Sequence, residues 1–326
     1  MYRNMVAHLV AVVTALLLCC DVAPAVSCTW LRRNVEGPPA RHSPGIAYDS
    51  RRGVTVLFGG ITGRRAGEVL FGDTWEWDGN AWQLVATTGP TPRLGHLMVY
   101  DEARGVVVLF GGNDGTFRNE TWEWDGREWK LTAQTGPSAR SRFGMAYDRK
   151  RSVVVLFGGI PRDTNDTWEW DGSEWRLIDT GSGPTGRSRV AMVYDEGRET
   201  VLLFGGRLAD GQPTGDTWEW DGTTWKQVTG TGSHARARHS MVYEPTLGTM
   251  VSVGVAFGGG PETLFLNEFQ WEEVLSSSEA GRAKNAGPTR RVYYGMVYDA
   301  ARNATLLYGG WDGNKPLNDT WELKCK

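Results

Sequence analysis

The chain has 326 residues, with 35 Lys and Arg against 38 Asp and Glu and a formal net charge of -3. That balance excludes the basic footprint a nucleic-acid binder needs. Only the 43 Gly and 16 Trp depart from ordinary composition, and together they point to many short strands, tight turns and large side chains filling the space between sheets.

The first element reads as a targeting segment. Arg3 supplies a positive start, Val6 to Cys20 is apolar apart from His8 and Thr14, and Ala23-Pro24-Ala25 offers small residues for cleavage. The run is short for a membrane span, so residues 1–25 are expected to be a removed signal peptide, with Ser27 as an alternative cleavage point. Ala25-Val26-Ser27-Cys28 also loosely resembles a bacterial lipobox, but Asp21 and Pro24 separate it from the apolar run. A soluble product is the favoured expectation over lipidation of Cys28. The mature chain is therefore placed outside the cytoplasm, secreted, periplasmic or at the cell surface. It keeps only Cys28 and Cys325, which in an oxidising compartment read as a disulfide.

From Cys28 onward the sequence repeats. Phe58, Phe110, Phe157, Phe204, Phe257 and Tyr308 each precede a Gly-Gly pair, a period of about 50 residues. Seven residues before a Tyr stands an Arg in every unit: Arg41/Tyr48, Arg93/Tyr100, Arg140/Tyr147, Arg187/Tyr194, Arg236/Tyr243 and Arg291/Tyr298. TWEWDG begins at Thr74, Thr121, Thr167 and Thr217, shortens to TWEL at Thr320, and is read in degenerate form around Phe269 and Trp271. Each unit then reads as four strands. Strand a runs from the Arg to the Tyr, and strand b is a β-branched run such as VVVLF that needs cover on both faces. Strand c is TWEW, and Asp-Gly turns the chain into strand d with its own Trp.

These motifs resemble bacterial kelch-repeat proteins, and the resemblance covers the whole mature chain. It implies an all-β fold over residues 28–326: a single six-bladed kelch-type β-propeller with four antiparallel strands per blade. The sixth unit ends without a strand d, whereas the mature chain begins Cys28-Thr29-Trp30, like the end of a unit. The N-terminal strand is therefore expected to complete the last blade. Aligning the units puts Cys325 and Cys28 on the two adjacent positions held by Gly79 and Asn80 in the first hairpin, where a disulfide replaces the missing turn.

The b–c and d–a connections share one face, and the longer, variable b–c segments make it the expected ligand face. The six arginines that open strand a are expected to pair with Asp73, Glu120, Asp166, Asp216, Glu268 and Asp319, an arrangement repeated in every blade and so structural. The Trp columns are assigned to packing between blades for the same reason. Asn119, Asn165, Asn303 and Asn318 stand in glycosylation sequons, the first, second and last also being turn residues ahead of strand c.

Departures from the repeat carry the functional signal. Two residues after the column Arg the units read Ser43, Gly95, Arg142, Arg189, Arg238 and Tyr293, and the next position reads Pro44, His96, Phe143, Val190, His239 and Tyr294. The expected ligand-binding set is Arg142, Arg189, Arg238 and His239, with an aromatic wall of Tyr293, Tyr294 and Trp311. Such a site suits a carboxylate or sulfate, because guanidinium makes paired hydrogen bonds to planar anions.

The leading expectation is a monomeric, non-catalytic binding or interaction propeller whose partner is a protein or an acidic glycan. No catalytic residue, metal site or cofactor is assigned. Galactose-oxidase-like copper chemistry lacks its cysteine and histidine pattern here. The alternative is a sugar-acid isomerase resembling sialic-acid mutarotase, matched by architecture alone.

Overall fold

Strand b dictates the assembly. In the second unit Val107, Val108, Leu109 and Phe110 are completely buried, so each sheet must be covered by another on both sides. The computed structural model describes residues 28–63, 67–179, 181–229, 234–255, 261–267, 270–275 and 287–326. It is an all-β, six-bladed propeller of four-stranded antiparallel sheets, each ordered a-b-c-d from the axis outward. The second blade comprises Leu97–Asp101, Val106–Phe110, Thr121–Trp124 and Trp129–Ala133. Its register sets Asp101 opposite Val106, Phe110 opposite Thr121 and Trp124 opposite Trp129. Among the described residues no helix is long and apolar enough to cross a membrane. The expected signal peptide, residues 1–25, lies outside the described residues.

Local chemistry closes each a–b turn. Asp101 Oδ1 accepts the Arg104 N–H at 3.0 Å, Arg104 Nε returns to Asp101 Oδ2 at 2.7 Å, and Gly105 takes the left-handed conformation (φ 75°) that lets the chain reverse. The same Asp–Arg pairing recurs at Asp49–Arg52, Asp148–Arg151, Asp195–Arg198 and Asp299–Arg302. Blade five departs from it, because Leu247 stands where the arginine would be.

Tryptophans lock neighbouring blades. Trp77, Trp124, Trp170 and Trp220 of strand c are at most 1% exposed, and each leans against the strand d Trp of its own blade. Each of five strand d indoles donates to the strand c threonine of the preceding blade: Trp82 to Thr320, Trp129 to Thr74, Trp175 to Thr121, Trp225 to Thr167 and Trp271 to Thr217, all at 2.8–3.0 Å. The Trp columns are thus packing, as their repetition implied.

The ring closes as the unit alignment predicts. Cys28–Arg33 pairs antiparallel with Thr320–Cys325 as the outer strand of blade six, with Cys28 directly opposite Cys325. The two sulfurs form a disulfide across a sequence separation of 297 residues.

Blade five corrects the sequence reading. Its strand b, Thr249–Val255, sets Val253 opposite Ser240, as Phe58 stands opposite Gly45 in blade one. Val253, not Phe257, therefore ends the buried run, and Phe257 falls outside the described residues. Strand c is Pro261–Asn267, with Thr263 bulged as Thr74 is. Trp271 belongs to strand d, since its indole reaches Thr217. Both strands are longer here, at seven residues, and strand c begins at Pro261, earlier than the motif around Phe269 and Trp271 implies. By register Glu262, not Glu268, precedes the strand c threonine; Glu268 and Phe269 lie outside the described residues.

Candidate functional site

The arginines that open strand a are buried scaffold. Arg41, Arg93, Arg140, Arg187 and Arg291 are 0–4% exposed. Four of them grip a carboxylate with both terminal nitrogens: Arg41 on Asp73, Arg140 on Asp166, Arg187 on Asp216 and Arg291 on Asp319, at 2.5–3.0 Å. Arg93 reaches Glu120 at 2.7 Å. All five also donate to the first glycine carbonyl after strand b, at 3.0–3.2 Å. Burial would raise the Asp166 pKa, but the Arg140 hydrogen bonds and charge prevail and hold it at about 2. The pairing is structural, as its recurrence indicated.

Two residues further on, the backbone builds a ring around the axis. Ser43, Gly95, Arg142, Arg189, Arg238 and Tyr293 all have φ between 56° and 68°, a conformation rare for residues other than glycine. Five of the six link to the blade before them. Ser43 N–H donates to the Tyr293 carbonyl (2.6 Å), Gly95 to Ser43 (3.4 Å), Arg142 to Gly95 (2.8 Å), Arg189 to Arg142 (2.7 Å) and Arg238 to Arg189 (3.1 Å). Backbone hydrogen bonding therefore explains the shared conformation, and only the side chains differ from blade to blade.

Those side chains make the ring one-sided. Blades three, four and five contribute Arg142, Arg189 and Arg238, all half-buried, while blades one and two contribute Ser43 and Gly95. Tyr293 of blade six meets two of the arginines, with the Arg142 and Arg238 guanidinium carbons 5.6 and 5.4 Å from its ring centre. Trp311 is held beside it by paired backbone hydrogen bonds between Val292 and Trp311. The structure thus brings Arg142, Arg238, Tyr293 and Trp311 to one place, with Arg189 next in the ring.

His42 joins them, and sequence reasoning missed it. Its imidazole lies 5.8 Å from Tyr293 and 5.5 Å from Trp311, centre to centre, and Nε2 is 2.9 Å from the Gly63 carbonyl. The signal was available one column earlier, where the units read His42, Leu94, Ser141, Ser188, Ala237 and Val292.

His239 and Tyr294 lie outside this cluster, at the wall of the axial cavity described below. Both are buried between blades, His239 edge-on to Phe204 and Tyr294 with its hydroxyl donating to the Val253 carbonyl. Burial, reinforced by the nearby Arg236 charge, depresses the His239 pKa from 6.5 to about 3. Its folded pKa is below the unfolded one, so the neutral imidazole's stabilisation is complete above about pH 6.5 and is lost as the pH falls toward 3. We expect His239→Phe, which copies Phe143 of blade three, to shrink the drop in Tm between pH 6.5 and pH 4. An unchanged drop, followed by differential scanning calorimetry, would mean that His239 is already charged in the folded protein.

Behind the ring the axis opens into a cavity of about 480 Å³. Met98, Met145, Met192, Met241 and Met296 line it, followed by Tyr48, Tyr100, Tyr147, Tyr194, Tyr243 and Tyr298 toward the a–b face. The ring arginines and Tyr293 are not part of its wall. A second, open hollow of about 640 Å³ lies on the other face between Leu70–Asp73 and Thr87–Pro92, away from the ring. Among the described residues no group of three or more His, Cys, Asp or Glu is placed to hold a metal ion.

The fold and this ring define a six-bladed β-propeller with a chemically distinct sector around one end of its axis. No protein-family model matches the chain.

Proposed function

We propose that this is a non-catalytic, extracytoplasmic kelch-type propeller that binds an acidic group at the b–c/d–a face. The group is a carboxylate or sulfate of a glycan, or the acidic side chains of a protein partner. One observation carries the reading: a backbone ring common to all six blades bears arginine in three adjacent blades only, with Tyr293 against two of them. A scaffold requirement would recur around the ring, as the buried arginines that open strand a do, five of them paired with an Asp or Glu. Arg142, Arg189 and Arg238 present planar donors that suit oxyanions, and Tyr293 with Trp311 offers an apolar wall for a sugar ring. The Cys28–Cys325 disulfide accords with an oxidising compartment and so with removal of residues 1–25.

The test is calorimetric titration of the mature protein with sulfated, carboxylated and neutral oligosaccharides, beside Arg142→Ala, Arg189→Ala and Arg238→Ala. Gly95 and Ser43 occupy equivalent positions, so the variants are expected to fold. Acidic compounds should bind saturably, and each variant should weaken them about tenfold or more, the scale of one charged hydrogen bond. Equal binding of neutral and acidic sugars, or variants that bind like the parent, would refute the arginine site. Turnover of a sugar acid between anomers in the same samples would replace the binding reading with an isomerase.

A further inference from the structure

The cavity on the axis has an opposite chemical character to the arginine ring and opens at the other end. Its walls are aliphatic and thioether: Ile46 from blade one and a methionine from each of the other five blades. Methionine side chains are flexible and polarizable and adapt to varied shapes. At the a–b exit stand the six strand a tyrosines, whose rings favour cations electrostatically. The volume falls within the range of small-molecule sites, roughly 300–1,000 Å³.

The exit is polarised. The residues following the turn acids are Ser50, Glu102, Arg149, Glu196, Pro245 and Ala300, and all six line the opening. Arg149 is clamped between the carboxylates of Glu102, at 2.5–2.9 Å, and Glu196. Two acids around one guanidinium leave a net negative rim. In blade five Leu247 replaces the turn arginine, and the buried Glu244 instead accepts the Thr246 N–H at 3.3 Å, burial raising its pKa, so the rim charge rests on Glu102 and Glu196. The inner end faces the arginine ring, which repels a cation, and His239 there is neutral.

We infer that the axial cavity is a second binding site, entered from the a–b face. Its ligand is a small organic monocation: an apolar body lies among the methionines and an alkylammonium head lies between the tyrosines and the Glu102–Glu196 rim. This site is separate from the acidic-ligand site, and failure of either leaves the other standing.

Hexyltrimethylammonium is the probe, with hexan-1-ol and hexyl sulfate as neutral and anionic counterparts, titrated calorimetrically into the mature protein. One equivalent of the cation should bind saturably, at least tenfold more tightly than the alcohol, with the sulfate weaker still. Glu102→Gln combined with Glu196→Gln lies at the exposed rim and keeps the side-chain volume while reversing the rim's net charge. It should weaken the cation at least tenfold and leave the alcohol unchanged. Met145→Trp should block the bore and abolish binding of both, with circular dichroism and Tm confirming that the variant is folded. Equal affinity for cation and alcohol, absence of saturable binding, or a cation affinity indifferent to the two glutamines would each overturn the assignment.

Discussion

Arg140→Leu should lower unfolding stability by about 3–5 kcal/mol, the scale for stripping one partner from a buried ion pair. The guanidinium is 3% exposed, holds Asp166 with two hydrogen bonds of 2.8 Å, and also donates to the Gly158 carbonyl at 3.0 Å. Its loss leaves a carboxylate and a carbonyl facing an apolar side chain. Urea denaturation followed by Trp fluorescence gives the difference, and a loss below about 1 kcal/mol would place the pair among exposed bridges of little consequence. The pH dependence should change with it. In the parent Asp166 has its pKa depressed to about 2, so its stabilisation is complete above the ordinary carboxylate range and disappears as the pH falls from about 4 to 2. The variant should lose that step.

Replacing both Cys28 and Cys325 with Ser should have a comparable effect, up to about 5 kcal/mol on the chain-entropy argument for so long a loop. The location of the loss is the sharper test. Cys28–Arg33 is the outer strand of blade six and contributes Trp30 to its core, yet it reaches that blade only by closing the ring. Hydrogen exchange should therefore quicken first along Cys28–Arg33 and Thr320–Cys325 in the variant, while Val153–Phe157, on the opposite side of the ring, keeps its protection. Uniform loss of protection would mean that the six blades unfold as one unit regardless of the staple.

Much of this architecture was legible because six copies correct one another. A buried Arg, a Gly-Gly pair and a strand d Trp in constant order fix strand number, face and closure before any coordinate is known. Blade five shows the limit. Its Phe-Gly-Gly match at Phe257 is good, but pairing register depends on which residues face Ser240 and Phe265, and longer strands carried the motif out of phase. The site was legible in part for a similar reason. Departures from the repeat pick out Arg142, Arg189, Arg238, Tyr293 and Trp311, but they do not tell which neighbouring column faces the axis. The left-handed backbone at residues 43, 95, 142, 189, 238 and 293 breaks the simple alternation of a strand, and the column beginning with Pro44 falls below the ring, where Pro44, Val190, His239 and Tyr294 border the axial cavity. The methionine column, five residues past the strand a Arg in five blades, carries no such departure, because a periodic apolar residue cannot be told from core until a cavity is seen beside it.

The axial backbone ring has a consequence for how such a surface changes over time. Its hydrogen bonds run through main-chain atoms alone, and its six positions already carry glycine, serine, arginine and tyrosine. Each position is a socket whose occupant can be exchanged without rebuilding the mount. A change of charge, size or aromaticity at one blade then alters recognition while its neighbours hold their places. Six such sockets set around one axis let a repeat protein acquire a new preference by single substitutions, with the cost to folding confined to the side chain replaced.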